Sequence, residues 1–154
     1  MLKKSLRLLA AKAELDYVGP EALVSGAADA LGEGVDSPSI RQLAGMDSGE
    51  GDDVRAVFDT ALHELSIEKP SPREATMLIA AEVARRIEAG GVSPYEGAKE
   101  IWHLAVGLHP EHFPELDPFV YAASEWEERP REHRLFAAGI LAAAHDLVVA
   151  QAER

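Results

Sequence analysis

Cysteine is missing from the 154-residue sequence. That excludes disulfides, thiolate-bound metals and a cysteine nucleophile, and it leaves the redox compartment unmarked. Positive charge is scarce: 15 Lys and Arg stand against 27 Asp and Glu, for a formal charge of −12 at pH 7. Phosphate backbones are bound by clustered Lys and Arg, so nucleic acid is excluded as an expected partner. An acidic surface favours solubility and would steer a protein partner with a basic surface. No stretch sustains alternation with β-branched residues, so no strand is predicted. No apolar run approaches the length of a membrane span. The basic, apolar opening from Met1 to Leu9 is broken by Arg7, followed by Lys12, and has no small-residue cleavage site after it. The expectation is a cytoplasmic protein with no membrane span.

What is present is a helical grammar. Apolar residues make up 47% of the chain and charged ones 27%, the composition of a globular protein long enough to bury a core. Ser or Asp followed by Pro occurs at Ser37-Pro38, Ser71-Pro72, Ser93-Pro94 and Asp117-Pro118, with Gly19-Pro20 a weaker case. The Ser or Asp oxygen accepts from orphan backbone N–H groups, and proline suits the first helical position. Ser71 and Ser93 are each followed three residues later by glutamate, the spacing of a capping box. Gly32, Gly34, Gly45 and Gly90-Gly91 stand where helices should stop. Between these marks apolar residues recur every three or four positions, as in Val54, Val57, Phe58, Ala61, Leu62 and Leu65.

The pattern predicts an all-α fold: a compact, bundle-like single domain of about eight helices over 2–16, 20–32, 38–45, 53–66, 72–89, 94–107, 118–128 and 131–152. Helices 72–89, 94–107 and 131–152 are expected to form the central layer. The expected core holds Leu62, Leu78, Ala81, Ile87, Ile101, Trp102, Phe119, Phe136, Ile140 and Leu147. The acidic loop 46–52 marks the one place where 1–45 could separate from 53–154. The N-terminal stripe Leu2, Leu6, Leu9 and Ala13 opposes Lys3, Lys4 and Arg7 and is expected to dock on its own bundle.

Four constellations could carry chemistry. The first is the loop Leu108-His109-Pro110-Glu111-His112-Phe113-Pro114-Glu115-Leu116-Asp117-Pro118. Imidazole suits zinc and carboxylate suits harder cations, so His109, Glu111 and His112 are candidate metal ligands. No standard zinc spacing is present, Asp117 is read as a helix cap and Phe113 as a core plug, so a rigid connector is the main expectation. Second, Glu100-Ile101-Trp102-His103 is a single Glu-x-x-His unit, whereas di-iron sites in helical bundles need two such units and two more glutamates. Third, Glu125-Trp126-Glu127-Glu128 lies at a helix end beside Arg129, Arg131 and Arg134, and reads as a charged corner anchored by Trp126. Fourth, Gly26, Gly97 and Gly139 fall inside predicted helices at a cost of roughly 1 kcal/mol each against alanine, which points to close helix approach. Gly32-Glu33-Gly34 and Gly49-Glu50-Gly51 are not nucleotide loops, because acids surround them and no strand precedes them.

Two stretches, Ala30-Leu31-Gly32 with Asp36 to Gly45, and Gly90 to Ala98 with Ile101-Trp102 and Ser124-Glu125-Trp126, resemble small uncharacterised helical proteins of actinomycete-type bacteria. The absence of asparagine and the wealth of alanine fit that source. The resemblance implies a helical fold and no known activity.

The leading functional expectation is a non-enzymatic protein-binding domain of regulatory or immunity type, with no cofactor. One alternative is a metal-dependent or hydrolytic enzyme working from residues 103–117 with His103, His109, Glu111 and His112. The other is a bundle that binds a small molecule near Gly97, Trp102 and Trp126.

Overall fold

The computed structural model describes residues 2–153, the side chain of Leu2 excepted. Among these the protein is all-α, with eight α-helices: α1 Leu2–Glu14, α2 Pro20–Gly32, α3 Pro38–Ala44, α4 Gly51–Glu64, α5 Pro72–Glu88, α6 Pro94–Val106, α7 Asp117–Glu125 and α8 His133–Ala152. Short 3₁₀ turns at Pro114–Leu116 and Pro130–Glu132 precede α7 and α8. Every predicted helix is present.

Most of the predicted starts are built as expected. The Ser37 hydroxyl accepts from the Ile40 N–H at 3.1 Å, and the Ser93 hydroxyl from the Glu96 N–H at 3.2 Å. The capping box is complete at α5: Glu74 N–H donates to the Ser71 hydroxyl at 3.1 Å, and Ser71 N–H donates to the Glu74 carboxylate at 3.3 Å. Asp117 corrects the expectation. The 3₁₀ turn before it runs straight into α7, so Asp117 already has helical φ and ψ (−54°, −41°) and makes no cap; its carboxylate is bonded to His112 instead.

Stops divide into two kinds. Gly34 and Gly90 take positive φ (93° and 78°), the left-handed region that costs glycine nothing. Asp16 and Ser66 take it too (φ 53° and 57°) without being glycine, closing α1 and α4. After Ser66 the Ile67 N–H donates back to the Leu62 carbonyl at 2.9 Å, so the left-handed residue completes a helix-closing turn. The left-handed conformation costs an L-residue about 1–2 kcal/mol. Ser66→Gly should therefore raise stability by about 0.5–1 kcal/mol in urea denaturation; a loss would show that the Ser66 side chain is needed there.

The chain divides into two compact units, residues 1–75 and 76–154. The loop 46–52, where the sequence offered its one natural break, lies inside the first of them. It joins α3 to α4, and those two helices pack on each other.

The first unit packs α1 on α2, α2 on α3 and α4, and α3 on α4. Its core gathers Leu6, Leu23, Ile40, Leu43, Phe58 and Leu62 among others. Leu6, Leu9 and Ala13 join that core, so the N-terminal stripe docks on its own unit as expected; Leu2 lies outside the described side chains. A Cβ on Gly26 would meet Leu9 Cδ2 at 2.4 Å, which is the close approach of α2 to α1 predicted for that glycine.

At the start of α3 sits a small polar cluster. The Glu64 carboxylate accepts from the Ser39 N–H at 3.0 Å and from the Ser39 hydroxyl at 2.7 Å. These two bonds, backbone first, hold its pKa below the ordinary 4.5, with the Ser37 hydroxyl adding to them. A carboxylate whose folded pKa is depressed contributes stability above its unfolded pKa and loses it as pH falls through the folded value. The stability gap between wild type and Glu64→Gln should thus be widest at neutral pH and close as pH drops below about 4.5. A gap that persists unchanged in acid would contradict the cluster.

In the second unit α6 packs on α7 and α8, and α7 on α8. Ile87, Ile101, Phe119, Phe136, Ile140 and Leu147 are all buried. Of the ten expected core residues only Leu78 and Trp102 are half-buried, and none is exposed. Helix α5 is buried around most of its circumference, whereas α8 buries one face only, Phe136, Ile140, Ala144 and Leu147. That places α8 at a boundary of its unit rather than at its centre.

Candidate functional site

Of the four sequence candidates, the histidine-rich loop is open rather than convergent. His109, Glu111 and His112 are all exposed. His112 Nε2 lies 2.9 Å and 3.0 Å from the two carboxylate oxygens of Asp117. Among the described residues no group of three His, Asp or Glu is placed to hold a metal ion. Phe113, 2% exposed, and Leu116, fully buried, pin the end of the loop. The Glu-x-x-His unit does not converge either: Glu100 pairs with Arg86 at 3.1 Å, and His103 is exposed.

The Trp126 corner is more organised than its sequence suggested. Tyr95, at the start of α6, stacks on Trp126 with centroids 4.9 Å apart and planes at 15°. His133, at the start of α8, stacks with Trp126 at 3.9 Å and 16°. His133 Nε2 donates to the Trp126 carbonyl, so that nitrogen carries the proton. The Tyr95 hydroxyl donates to Glu127 at 3.2 Å, and Lys99 Nζ lies 5.3 Å from the Tyr95 ring centroid. Burial, then the Glu127 charge, raise the Tyr95 pKa above 10.0. Arg129 pairs with Glu125 at 3.2 Å and with Glu132 at 3.6 Å. The result is a clamp that fixes where α8 begins relative to α6 and α7. Neither Tyr95 nor His133 stood out in the sequence, because the stack joins three elements separated by a helix break.

Gly97, offered as part of a small-molecule pocket, has no room beside it. A Cβ there would meet Ile87 Cγ1 at 2.4 Å and Cδ1 at 2.6 Å, so the glycine lets α6 approach α5. A cavity of about 240 Å³ lies instead in the first unit. Leu23, Phe58 and Leu62 line it, and Arg55 and Lys69 stand at its polar wall. Both cations are paired across it, Arg55 with Asp16 at 3.0 Å and Lys69 with Glu14 at 3.2 Å. Pockets for drug-sized ligands start at about 300 Å³.

One feature left unexplained by the protein's own packing is the outward face of α8. Leu135 is 66% exposed, Val149 43% and Leu141 42%, and Tyr121 of α7 is 54% exposed. Tyr121 meets buried Phe136 edge-on with centroids 6.0 Å apart. Gly139, the third helical glycine, lies on this face with nothing within 4 Å of where a Cβ would be. Close packing therefore accounts for Gly26 and Gly97 but not for Gly139. Residues Pro130–Ala152 also form a stretch of 23 residues whose apolar window has a mean hydropathy of 1.6, with 22% of it buried. By length and composition alone it is long and apolar enough to cross a membrane. The sequence reading missed this because His145-Asp146 interrupts the run. No protein-family model matches the sequence, and no curated protein or solved structure matches it either.

Proposed function

We propose that this protein is a non-enzymatic protein-binding module and that the outward face of α8, with Tyr121 beside it, is its binding surface. One observation carries the reading: a long helix that spends a single face on its own core and presents Leu135, Leu141 and Val149 to solvent on the rest of its surface. Contiguous apolar surface rimmed by polar residues marks interaction sites, and anchors for a partner are large side chains of this kind. The clamp of Tyr95, Trp126 and His133 holds the start of α8 in place, which lowers the ordering cost of binding. Elsewhere the net charge of −12 keeps the protein soluble and disfavours indiscriminate contacts.

The test is Leu135→Asp. Leu135 makes little contact with its own fold, so the melting temperature should stay within about 2 °C of wild type. Complexes that the wild-type protein forms in native extract should disappear on size-exclusion chromatography. Identical profiles for the two proteins would overturn the proposal.

A further inference from the structure

The outward face of α8 is self-complementary, and we infer that its occupant is a second copy of this chain, docked with its α8 antiparallel to the first. The inference rests on the reading of α8 as a protein-binding surface. Along the face, Leu135, Ala138, Gly139, Ala142 and Asp146 recur at three- and four-residue spacing, opposite the buried line of Phe136, Ile140, Ala144 and Leu147, and exposed Arg131 stands in the 3₁₀ turn one helical turn before Leu135.

A two-fold contact places the same patch on both partners in reverse order. With Ala138 of one copy against Gly139 of the other, Leu135 falls opposite Ala142 and Arg131 opposite Asp146. The two helices then cross at their smallest residues, the bulky leucine fills the space above an alanine, and each cation meets an anion. Each of these contacts occurs twice. Arg131 and Asp146 have no ion pair among the described residues of their own chain, so the second copy supplies what each lacks. Gly139 gains the close neighbour that its own fold does not give it.

Charge also separates this occupant from the others. Arg131 and Arg134 balance Glu132 and Asp146 on α8 and the turn before it, on a chain that is otherwise strongly acidic. A basic partner gains little there. A bilayer would have to take up the Asp146 carboxylate, at a cost of about 2.5–3.5 kcal/mol at its centre. Arg131 of a second copy neutralises it. The contact is small: α8 has 20 residues and spans roughly 30 Å, so a strip about 10 Å wide gives on the order of 300 Å² a side. Standard interfaces bury about 800 Å² a side, so this contact belongs to the weak, transient class.

The full chain is tested by sedimentation equilibrium at neutral pH. Wild type should show a monomer–dimer equilibrium with Kd between about 1 and 100 µM. Arg131→Asp and Asp146→Arg should each weaken it about tenfold, and the double exchange should restore it. Gly139→Ala should raise the melting temperature of dilute protein through helix propensity and yet weaken association. The sequence holds no cysteine, so register can be read from single-cysteine variants. A mixture of Leu135→Cys and Ala142→Cys should form the mixed disulfide faster than either variant forms its own dimer. A chain that stays monomeric to about 100 µM, or a dimer indifferent to all these changes, overturns the inference. Flotation with phosphatidylcholine–phosphatidylglycerol vesicles would overturn it too and assign the face to a membrane. A monomer whose Leu135 still cross-links to a different protein in cells would leave α8 as a binding surface and remove only the second copy.

Discussion

Phe113→Ala is expected to destabilise the second unit by about 3–5 kcal/mol, while His109→Ala/His112→Ala together cost less than about 1 kcal/mol. The two sets of side chains sit within five residues of each other and differ in everything that matters. Phe113 is 2% exposed, so removing its ring leaves a cavity as well as forfeiting the transfer of the ring out of water. His109 is on the surface, and His112 pairs with Asp117, the two side chains being 68% and 56% exposed. Solvent and salt screen such a pair to a fraction of a kcal/mol. Urea denaturation of both variants checks the contrast. If the double histidine variant proved the more damaging, the loop would be more than the connector its burial pattern describes.

Gly97→Val should cost about 3 kcal/mol. Its Cβ would come within 2.4 Å of Ile87 Cγ1. Ile87 is 2% exposed, so it has no free space to move into. Overpacking a filled core costs about 1–3 kcal/mol, and the β-branched valine adds two methyls to a gap that cannot hold the Cβ. Gly139→Ala is the matching control: open space and better helix propensity should make it stabilising by up to about 1 kcal/mol in dilute solution. Thermal unfolding of the two variants decides between tight approach at α6 and an open face at α8. A Gly97→Val protein as stable as wild type would mean that the α5–α6 spacing is set by something else.

The glycines also show how far the sequence could be read. All three sat in predicted helices with the same spacing signal, and only the fold separated two that admit a neighbouring side chain from one that faces solvent. The serine starts at 37, 71 and 93 were legible because a hydroxyl followed by proline acts within one turn of chain. Asp117 carried the same signal and failed as a cap, since the turn before it, 114–116, shifted it one place into the helix. Left-handed Asp16 and Ser66 were invisible as stops, because neither residue type announces that conformation as glycine does. The division at residues 75 and 76 falls inside the first turn of α5, three residues past Pro72, where the Ser-Pro signal announces a helix start and not a break. Of the candidate surface, the anchor Trp126 was legible from its charged corner. Its partners Tyr95 and His133 depend on how three helix ends meet. The α8 face was masked because alanines and leucines at helical spacing read as core whichever way they point.

The most direct test of the α8 face is a photo-reactive phenylalanine analogue at position 135, with position 25 as control, since Ser25 is exposed on α2 in the first unit. Irradiation in living cells should give discrete protein adducts at 135, the chain itself among them, and none at 25. Equal labelling at the two positions, or no adduct at 135, would contradict the assignment of α8 as the binding surface.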